Sequence, residues 1–509
     1  MQTGQSVPGT TATQPATTPV AGRAPLPTVI QGGMGAAVSD WHLASQVAQA
    51  GQLGVVSGTA LDSVVVRRLQ DGDPGGHMRR ALEHFPVPAV AEWIVKRYYR
   101  PEGRAEGQAY LPVPNLTLTP VSKSRDLMVA SAFVEVWLAK EGHSGLVGIN
   151  VLEKIQLAIV PSLYGAMLAG VDYVLIGAGI PSKIPRLLDQ LSRHEYASMD
   201  VHVDGATQTY ATALDPATVI PAGSLPPLKR PTFLAIISSH PLAAYLCKEQ
   251  VTTPDGFVVE GHVAGGHNTP PRGRMQITEG GEPVYGDRDE ADLAKIAKYG
   301  LPFWVAGAYA TPEHIAEAKA YGAAGVQVGT IFALSSDSGT TAANRQKLLD
   351  ALAEDRLEVK TDALASPTGF PFKVVPMDGT NGDDDTYRAR TRICDLAYLR
   401  TPYEREPGKL GYRCPSEPED DYVRKGGELS NTGGRKCLCN GLMATIGMGQ
   451  VRSGVQEDPL LTLGSDLTAA KELLRRHPDG WNARQALDYL LGSPALQQLP
   501  EESLALAGR

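Results

Sequence analysis

Two short stretches near the middle of the chain decide the fold. They read Pro302-Phe-Trp-Val-Ala-Gly307-Ala308-Tyr309 and Gly325-Val-Gln-Val-Gly329-Thr330. Each is typical of a buried strand that ends in a glycine turn. Backbone N–H groups at two such consecutive strand ends bind phosphate in (β/α)8 barrels. The pair therefore predicts a barrel and a phosphorylated ligand.

The residues between the two stretches predict one helix. Thr311 can cap its start, Pro312 suits its first turn, and Gly322 suits the left-handed position that ends it. Upstream apolar runs can supply six further strands, and several are continuous, as is typical of parallel strands buried on both faces. We therefore predict an α/β fold, the (β/α)8 or TIM barrel. Its eight strands are Thr28–Gln31, Leu53–Ser57, Val147–Asn150, Tyr173–Ile176, Leu234–Ile237, Phe257–Glu260, Phe303–Ala306 and Val326–Val328.

Composition and charge narrow the class of protein. The chain has 509 residues, 42% of them hydrophobic, which exceeds the roughly 250 residues of a simple barrel and predicts insertions. The net charge of −8 disfavours a nucleic-acid or membrane-surface partner. No apolar run approaches the roughly 20 residues of a membrane span, and Met1–Ala24 resembles a disordered tail more than a signal peptide. We expect a cytoplasmic protein.

We divide the chain into a tail (1–24), a barrel (25–340) with an insertion after the second strand (59–146), and an appended C-terminal region (341–509). Because the insertion follows a barrel strand and carries Trp93, Tyr98 and Tyr99, we expect it to roof the site and contact substrate. In the appended region, 379–385 is most simply a solvated loop. Helices are expected near 344–352, 466–476 and 482–491.

Cysteine placement leaves two interpretations open. Only Cys247 lies in the predicted barrel, whereas Cys394, Cys414, Cys437 and Cys439 lie in the appended region. Four thiolates can hold zinc or an iron–sulfur cluster, but the usual pair spacing of two to four residues is absent. Buried reduced thiols are the favoured interpretation.

Six motifs in order resemble the nitronate monooxygenases, over about residues 26–340. The same set, in looser form, occurs in FMN-dependent enoyl reductases of fatty-acid and polyketide synthesis, and any one motif alone is weak. The motifs are Ile30-Gln-Gly-Gly-Met34-Gly, Ala50-Gly-Gln-Leu-Gly54-Val-Val-Ser-Gly58, Gly148-Ile-Asn150, Gly177-Ala-Gly-Ile-Pro181, Glu260-Gly-His-Val-Ala264-Gly-Gly-His267 and Gly322-Ala-Ala-Gly-Val-Gln-Val-Gly329-Thr330.

The resemblance implies an FMN-dependent oxidoreductase that oxidises an alkyl nitronate with O2 to a carbonyl compound and nitrite. The alternative is an enoyl reductase, which needs NAD(P)H. No second Gly-x-Gly-x-x-Gly motif stands in a strand–turn–helix setting, which favours the first activity. A flavin-binding protein without turnover is a third hypothesis. Expected partners are a small-molecule substrate with O2 or NAD(P)H, and a homodimer is compatible with the sequence.

The resemblance also assigns site residues. His267 follows a strand and is the predicted catalytic residue. With an unperturbed pKa of about 6.5 it can take a proton at neutral pH, and the matching family histidine serves as base or as partner to the nitro group. A lone histidine is more often structural, and Val263 stands where the family has a glutamate. Glu260 and His262 flank the same strand end, and at most one of them is expected to contact ligand.

The remaining predictions concern FMN. Gly32, Gly33 and Met34 are expected along the flavin ring, although plain turns also use glycines. Asn150 is expected to donate to FMN, and Gly265 and Gly266 to let the backbone approach it. Ala308 replaces a second glycine, which requires a negative φ. The predicted phosphate loops are Gly307–Ala308 and Gly329–Thr330.

Overall fold

The computed structural model describes residues 26–221 and 223–492, so the predicted tail lies outside the described residues. The first ten strands alternate with helices along most of this length. In chain order they are β1 (Val29–Gln31), β2 (Gly54–Ser57), β3 (Val147–Leu152), β4 (Tyr173–Gly177), β5 (Ala197–Val201), β6 (Tyr210–Leu214), β7 (Thr232–Ile237), β8 (Gly256–Glu260), β9 (Phe303–Ala306) and β10 (Gly325–Val328).

Eight of these strands form one parallel sheet in the order β1-β10-β9-β8-β7-β4-β3-β2, while β5 and β6 pair as a separate antiparallel hairpin. Backbone hydrogen bonds from Gln31 N to Leu53 O (3.0 Å) and from Leu53 N to Val29 O (3.1 Å) join the first strand to the second. The sheet therefore closes on itself, and the predicted (β/α)8 barrel is confirmed. All eight predicted strands occur, with ends that differ by at most two residues.

Alternate side chains of the strands fill the barrel. Continuous apolar runs suit this packing because successive residues of a strand point to opposite faces. One set points into the barrel interior, and the other set points outward to the helices. Trp304 is fully buried in the barrel interior, and its Nε1 atom donates to Pro27 O at 2.8 Å. The buried inward-facing residues are Ile30, Leu53, Val55, Tyr173, Leu175, Leu234, Ile236, Val258, Trp304 and Ala306.

Helices surround the barrel. The predicted helix after β9 begins where Thr311 Oγ1 accepts from His314 N at 3.2 Å, and Gly322 beyond its end has φ +88°, so both predicted end signals are confirmed. In order the helices are α1 (Trp41–Gln49), α2 (Leu61–Gln70), α3 (His77–Glu83), α4 (Pro88–Tyr98), α5 (Ser122–Lys140), α6 (Gln156–Leu168), α7 (Ile184–Ser192), α8 (His240–Leu246), α9 (Leu293–Ala297), α10 (Pro312–Ala320) and α11 (Thr330–Ala333), with 3-10 turns at Pro74–Gly76 and Pro216–Thr218.

The insertion between β2 and β3 folds as α2 to α5 and packs on the outer helices. Arg68 ties it down by bridging the carboxylates of Asp40 and Glu135. Tyr98 is buried in the outer core, and Trp93 meets it edge-on at 6.1 Å between ring centroids. Trp93, Tyr98 and Tyr99 do not line the cavity at the mouth of the barrel, so the predicted aromatic roof is wrong. The first residues of the insertion, Thr59 and Ala60, do line that cavity.

The C-terminal region shares the outer core with the barrel. Trp481, for example, is buried and donates from Nε1 to Ile331 O at 2.7 Å. Its helices are α12 (Ala342–Ala353), α13 (Asp384–Ala389), α14 (Glu419–Arg424), α15 (Leu438–Thr445), α16 (Thr468–Arg476) and α17 (Ala483–Leu491), with a 3-10 turn at Leu429–Thr432. Three antiparallel hairpins complete it: β11 (Lys360–Asp362) with β12 (Phe372–Val374), β13 (Thr401–Glu406) with β14 (Lys409–Arg413), and β15 (Val451–Arg452) with β16 (Val455–Gln456). Among the described helices, none has the length and apolarity that a membrane crossing requires.

The sequence predicts a solvated loop at 379–385, but only Gly379, Asp384 and Asp385 of this run are exposed. Thr380 and Asn381 are fully buried. Asn381 Nδ2 donates to Asp458 O at 2.6 Å and to Glu457 Oε1 at 3.0 Å. Distant acceptors thus satisfy the Nδ2 group of Asn381 inside the protein.

Candidate active site

A cavity of about 270 Å³ opens at the carboxyl ends of the barrel strands, and we call it the main cavity. Every strand of the barrel contributes to its wall, either by its last residues or by the turn that follows. This end of the barrel is where TIM-barrel enzymes place their active sites. Its wall contains all of the predicted site residues: Gly32, Gly33, Met34, Asn150, Gly265, Gly266, His267, Gly307, Ala308, Gly329 and Thr330.

The turn after β1 is held by side chains from two other segments. Asn150 Nδ2 donates to Gly33 O at 3.1 Å, and Ser39 Oγ donates to Gly32 O at 2.8 Å. A Cβ atom on Gly33 would lie 2.4 Å from the Cβ atom of Asn150, so only glycine fits here. Asn150 thus positions the glycine turn, in addition to any contact with a ligand.

The turn after β9 is strained. Gly307 has φ +87° and Ala308 has φ +62°, so the expectation of a negative φ at Ala308 is wrong. Ala60 and Ala178, which follow β2 and β4, have the same left-handed conformation at φ +57° and +59°, and all three alanines line the main cavity. The conformation costs an L-residue roughly 1–2 kcal/mol. It arises because the chain must turn sharply from strand to helix around the cavity, and such strain concentrates at functional sites.

Residues from the C-terminal region close the cavity. Gly464 N donates to Thr330 Oγ1 at 3.0 Å, and Ser465 N donates to Val263 O at 3.0 Å. This segment therefore covers the turns after β8 and β10. Sequence reasoning missed this part of the wall, and no motif marks it. It comprises Phe372, Tyr398, Leu399, Leu438, Cys439, Leu442, Thr462, Leu463, Gly464, Asp466 and Ala469.

His267 lies on the wall of the main cavity with its ring fixed by the C-terminal region. Its Nε2 atom is 2.7 Å from Ser366 Oγ, and its ring meets Phe372 edge-on at 4.8 Å between centroids. Burial, assisted by the charge of Lys154, lowers the pKa of His267 to about 4. The expectation that it titrates near its ordinary value is wrong. The imidazole is neutral at neutral pH because the surrounding protein replaces the water that would solvate its charged form.

A second cavity of about 220 Å³ adjoins the first, and Glu260 and His267 line both. His262 lines only the second cavity, where it stacks on Tyr285 at 4.4 Å, so Glu260 alone of this pair faces the main cavity. Burial raises the pKa of Glu260 to about 7. Burial thus shifts the pKa values of Glu260 and His267 in opposite directions, and each shift favours the neutral form of the group.

The wall of the main cavity offers an unpaired polar atom and a bare stretch of backbone to a ligand. Gln327 Oε1 is buried without a hydrogen-bond partner and belongs to the cavity wall, so a ligand N–H group, such as that of a flavin ring, can satisfy it. A Cβ atom on Gly329 would lie 3.2 Å from Met34 Sδ, so a side chain here would crowd the predicted phosphate end. Glycine at this position leaves that space to a ligand.

The four C-terminal cysteines line one small cavity: Cys394, Cys414, Cys437 and Cys439. Cys439 also lines the main cavity. All are free thiols. Across residues 26–221 and 223–492, no three His, Cys, Asp or Glu side chains are arranged so that they could hold a metal ion.

Comparison with known proteins supports the resemblance. The nitronate monooxygenase family profile matches residues 229–367, which include Glu260, His267 and both predicted phosphate loops. No curated protein matches the chain significantly.

Similar solved structures include three proteins. FabK from Thermotoga maritima is 15% identical, with 95% of each chain covered and a TM-score of 0.45. A nitroalkane oxidase from Streptomyces ansochromogenes is 14% identical, with 93% of this chain and 96% of that chain covered and a TM-score of 0.44. The enoyl reductase domain of MlnA from Bacillus amyloliquefaciens is 9% identical, with 92% and 95% covered and a TM-score of 0.41.

The family match and the barrel with its cavity agree with the interpretation of the motifs. Residues 229–367 match the nitronate monooxygenase family, in agreement with the flavin-dependent oxidoreductase that the motifs predict.

Proposed function

We propose that the protein binds FMN in the main cavity and oxidises alkyl nitronates with O2 to a carbonyl compound and nitrite. The observation that carries the proposal is the convergence of all the predicted site residues on one cavity at the carboxyl ends of the barrel strands. The family match over residues 229–367 supports the same activity.

The residues suggest how the cofactor would lie. Gly307, Ala308, Gly329 and Thr330 would hold the phosphate, since two strand ends present their backbone N–H groups there. The turn of Gly32 to Met34, held by Asn150, would lie along the ring. The buried acceptor of Gln327 would meet a ring N–H group. Bound FMN would supply the electron chemistry, and the protein would supply orientation and exclusion of water.

His267 would orient the substrate rather than take its proton. A neutral imidazole can donate a hydrogen bond to a nitro oxygen, whereas a pKa of about 4 makes it a weak base at neutral pH. Ser366, at 2.7 Å, fixes the ring for this purpose. Between the two roles that the resemblance implies for His267, base or partner of the nitro group, these observations favour the partner of the nitro group.

One observation favours enoyl reduction as the second candidate. The second cavity extends the space beside Glu260 and His267 by about 220 Å³, which is more than a small nitronate needs and suits a longer acyl chain. This activity requires NAD(P)H as the source of electrons.

The experiment starts with purified protein. An absorbance spectrum with flavin bands, and release of FMN on denaturation, are the expected results for the cofactor. Oxygen uptake with formation of nitrite from ethyl nitronate is expected for the activity. Loss of NAD(P)H with an enoyl thioester, without oxidation of the nitronate, would replace the proposal by the second candidate. A colourless protein that cannot be loaded with FMN would overturn both.

A further inference from the structure

We propose that Glu260 is the catalytic residue that exchanges the substrate's proton, and that it converts a neutral nitroalkane into the nitronate inside the main cavity. This inference rests on the proposed function and extends its substrates from preformed nitronates to nitroalkanes. His267, the residue that the motif singles out, does not perform this step.

Position is the first argument. Glu260 is the last residue of β8, at the catalytic end of the barrel, and its side chain lines both cavities. Of the described residues, only Ala178, Ile236, Glu260 and His267 line both. Glu260 is the only one of these four that can carry a negative charge. A carboxylate at this junction is within reach of a ligand in either cavity.

The absence of partners is the second argument. Within residues 26–221 and 223–492, the side chain of Glu260 makes no hydrogen bond and no ion pair, although the residue is largely shielded at the junction of the two cavities. An unpaired carboxyl group in such a place is costly unless it serves a ligand. Arg68, which bridges two carboxylates, shows how the same chain satisfies a structural acid.

Electrostatics support the same assignment. Burial alone raises the pKa of Glu260 to about 7, so the group is half ionised near neutral pH and suited to accept and release a proton. On the second cavity's wall the other titratable groups are His262, His267, Arg272, Tyr285 and Asp289. On the main cavity's wall they are Tyr309, Tyr398, Cys439 and Asp466. None of these charges contributes to the raised pKa.

The chemical step is balanced without another reactant. The Glu260 carboxylate forms an O–H bond with the α-proton as the C–H bond breaks, and the electron pair of that bond passes into the nitro group to give the nitronate. The proton can then leave by the second cavity, whose rim residues Ile180, Thr269 and Arg272 are exposed. The carboxylate is thereby restored without movement of the main cavity's ligand.

The test compares the FMN-loaded wild type with Glu260→Gln, which keeps the shape and removes the base. With neutral nitroethane the variant should lose about 10²–10⁴-fold in rate, whereas with preformed ethyl nitronate it should change by less than about threefold. Glu260→Asp should recover part of the loss. The matched control is Glu249→Gln, since Glu249 is exposed and outside both cavities. Equal losses on both substrates, or no loss on either, would overturn the inference.

An infrared titration gives a readout that does not need turnover. The wild type should show a protonated-carboxyl band that disappears through a midpoint near pH 7 and is missing from Glu260→Gln. No such band, or a midpoint near the ordinary value of about 4.3, would reject the role of Glu260 alone. A wild type that has the band but oxidises neither nitro compound would reject the proposed function, so the two failures are distinguishable.

Discussion

The Nε2 atom of His267 lies 2.7 Å from the Oγ atom of Ser366, which joins the turn after β8 to the C-terminal region. Ser366 is fully buried, and its Oγ atom also accepts from Thr368 N at 3.2 Å, so the hydroxyl is fixed by its own loop. The orientation of the motif histidine is therefore set by a residue outside the strands of the barrel. Substitution of Ser366 or of His267 should therefore change the rate of turnover.

We expect Ser366→Ala to retain flavin but to lose about tenfold in rate. The substitution leaves a buried ring nitrogen of His267 without its partner, which costs roughly 1–3 kcal/mol, and 1.4 kcal/mol corresponds to a factor of ten. Steady-state kinetics with ethyl nitronate measure the loss, with exposed Ser430→Ala as the control. An unchanged rate would show that the hydroxyl does not orient the ring.

His267→Ala should keep the flavin spectrum and lose about 10²–10³-fold in rate, the usual effect of removing one positioned hydrogen-bond donor. Because the pKa of His267 is about 4, the wild-type rate should show no titration of this residue between pH 6 and 9. Neutral nitroalkane and preformed nitronate should lose equally. A larger loss with the nitroalkane would restore His267 as the base.

Gly329→Leu should yield protein that folds but binds FMN much more weakly. Gly329 has φ −116°, so a side chain causes no backbone strain, yet its Cβ would lie 3.2 Å from Met34 Sδ at the predicted phosphate end. Fluorescence titration with FMN measures affinity, and circular dichroism checks folding. Gly433→Leu is the control, since its Cβ would have only Ser430 O within 4 Å, at 3.7 Å. Full affinity in Gly329→Leu would contradict this placement of the phosphate.

Ala308→Gly should raise the free energy of unfolding by about 0.5–1 kcal/mol. Glycine removes the roughly 1–2 kcal/mol cost of a left-handed alanine. Part of that gain is offset because glycine loses more backbone entropy on folding than alanine does. Ala316→Gly, on the exposed face of α10, should destabilise by about 1 kcal/mol, so the same change has opposite signs at the two sites. Urea denaturation measures both. A loss of stability at position 308 would mean that its strain is not released by glycine.

Glu260→Gln should stabilise the protein at pH 8 and have little effect at pH 4. The folded-state pKa of about 7 exceeds the unfolded value, so the contribution of Glu260 to stability is present below about pH 4.3 and is lost as pH rises through 7. The gain should stay below about 4 kcal/mol, since the pKa rises from about 4.3 to about 7 and one pKa unit corresponds to 1.36 kcal/mol. Thermal unfolding across this pH range measures it. A gain that is equal at both pH values would exclude ionisation as its cause.

The barrel and most of its cavity follow from local sequence. Runs such as Phe303–Ala306 are apolar throughout because both faces of a barrel strand are buried, and the following glycine permits the turn. Thr311 and Gly322 mark the ends of α10 by hydrogen bonding and by φ alone. Features that depend on a few neighbouring residues were therefore predictable, including the turns that line the cavity.

Tertiary structure alone decided the rest. Ser366 contacts His267 although 99 positions separate them, and Gly464 contacts Thr330 although 134 positions separate them. No periodicity or motif in the sequence predicts either contact. The pKa values of Glu260 and His267 depend on how completely other segments remove water from them, which no local pattern encodes. Sequence by itself thus determined the barrel and the turns around its mouth. Long-range packing decided which side chains close the cavity and what charge they carry, because burial is a property of the whole fold.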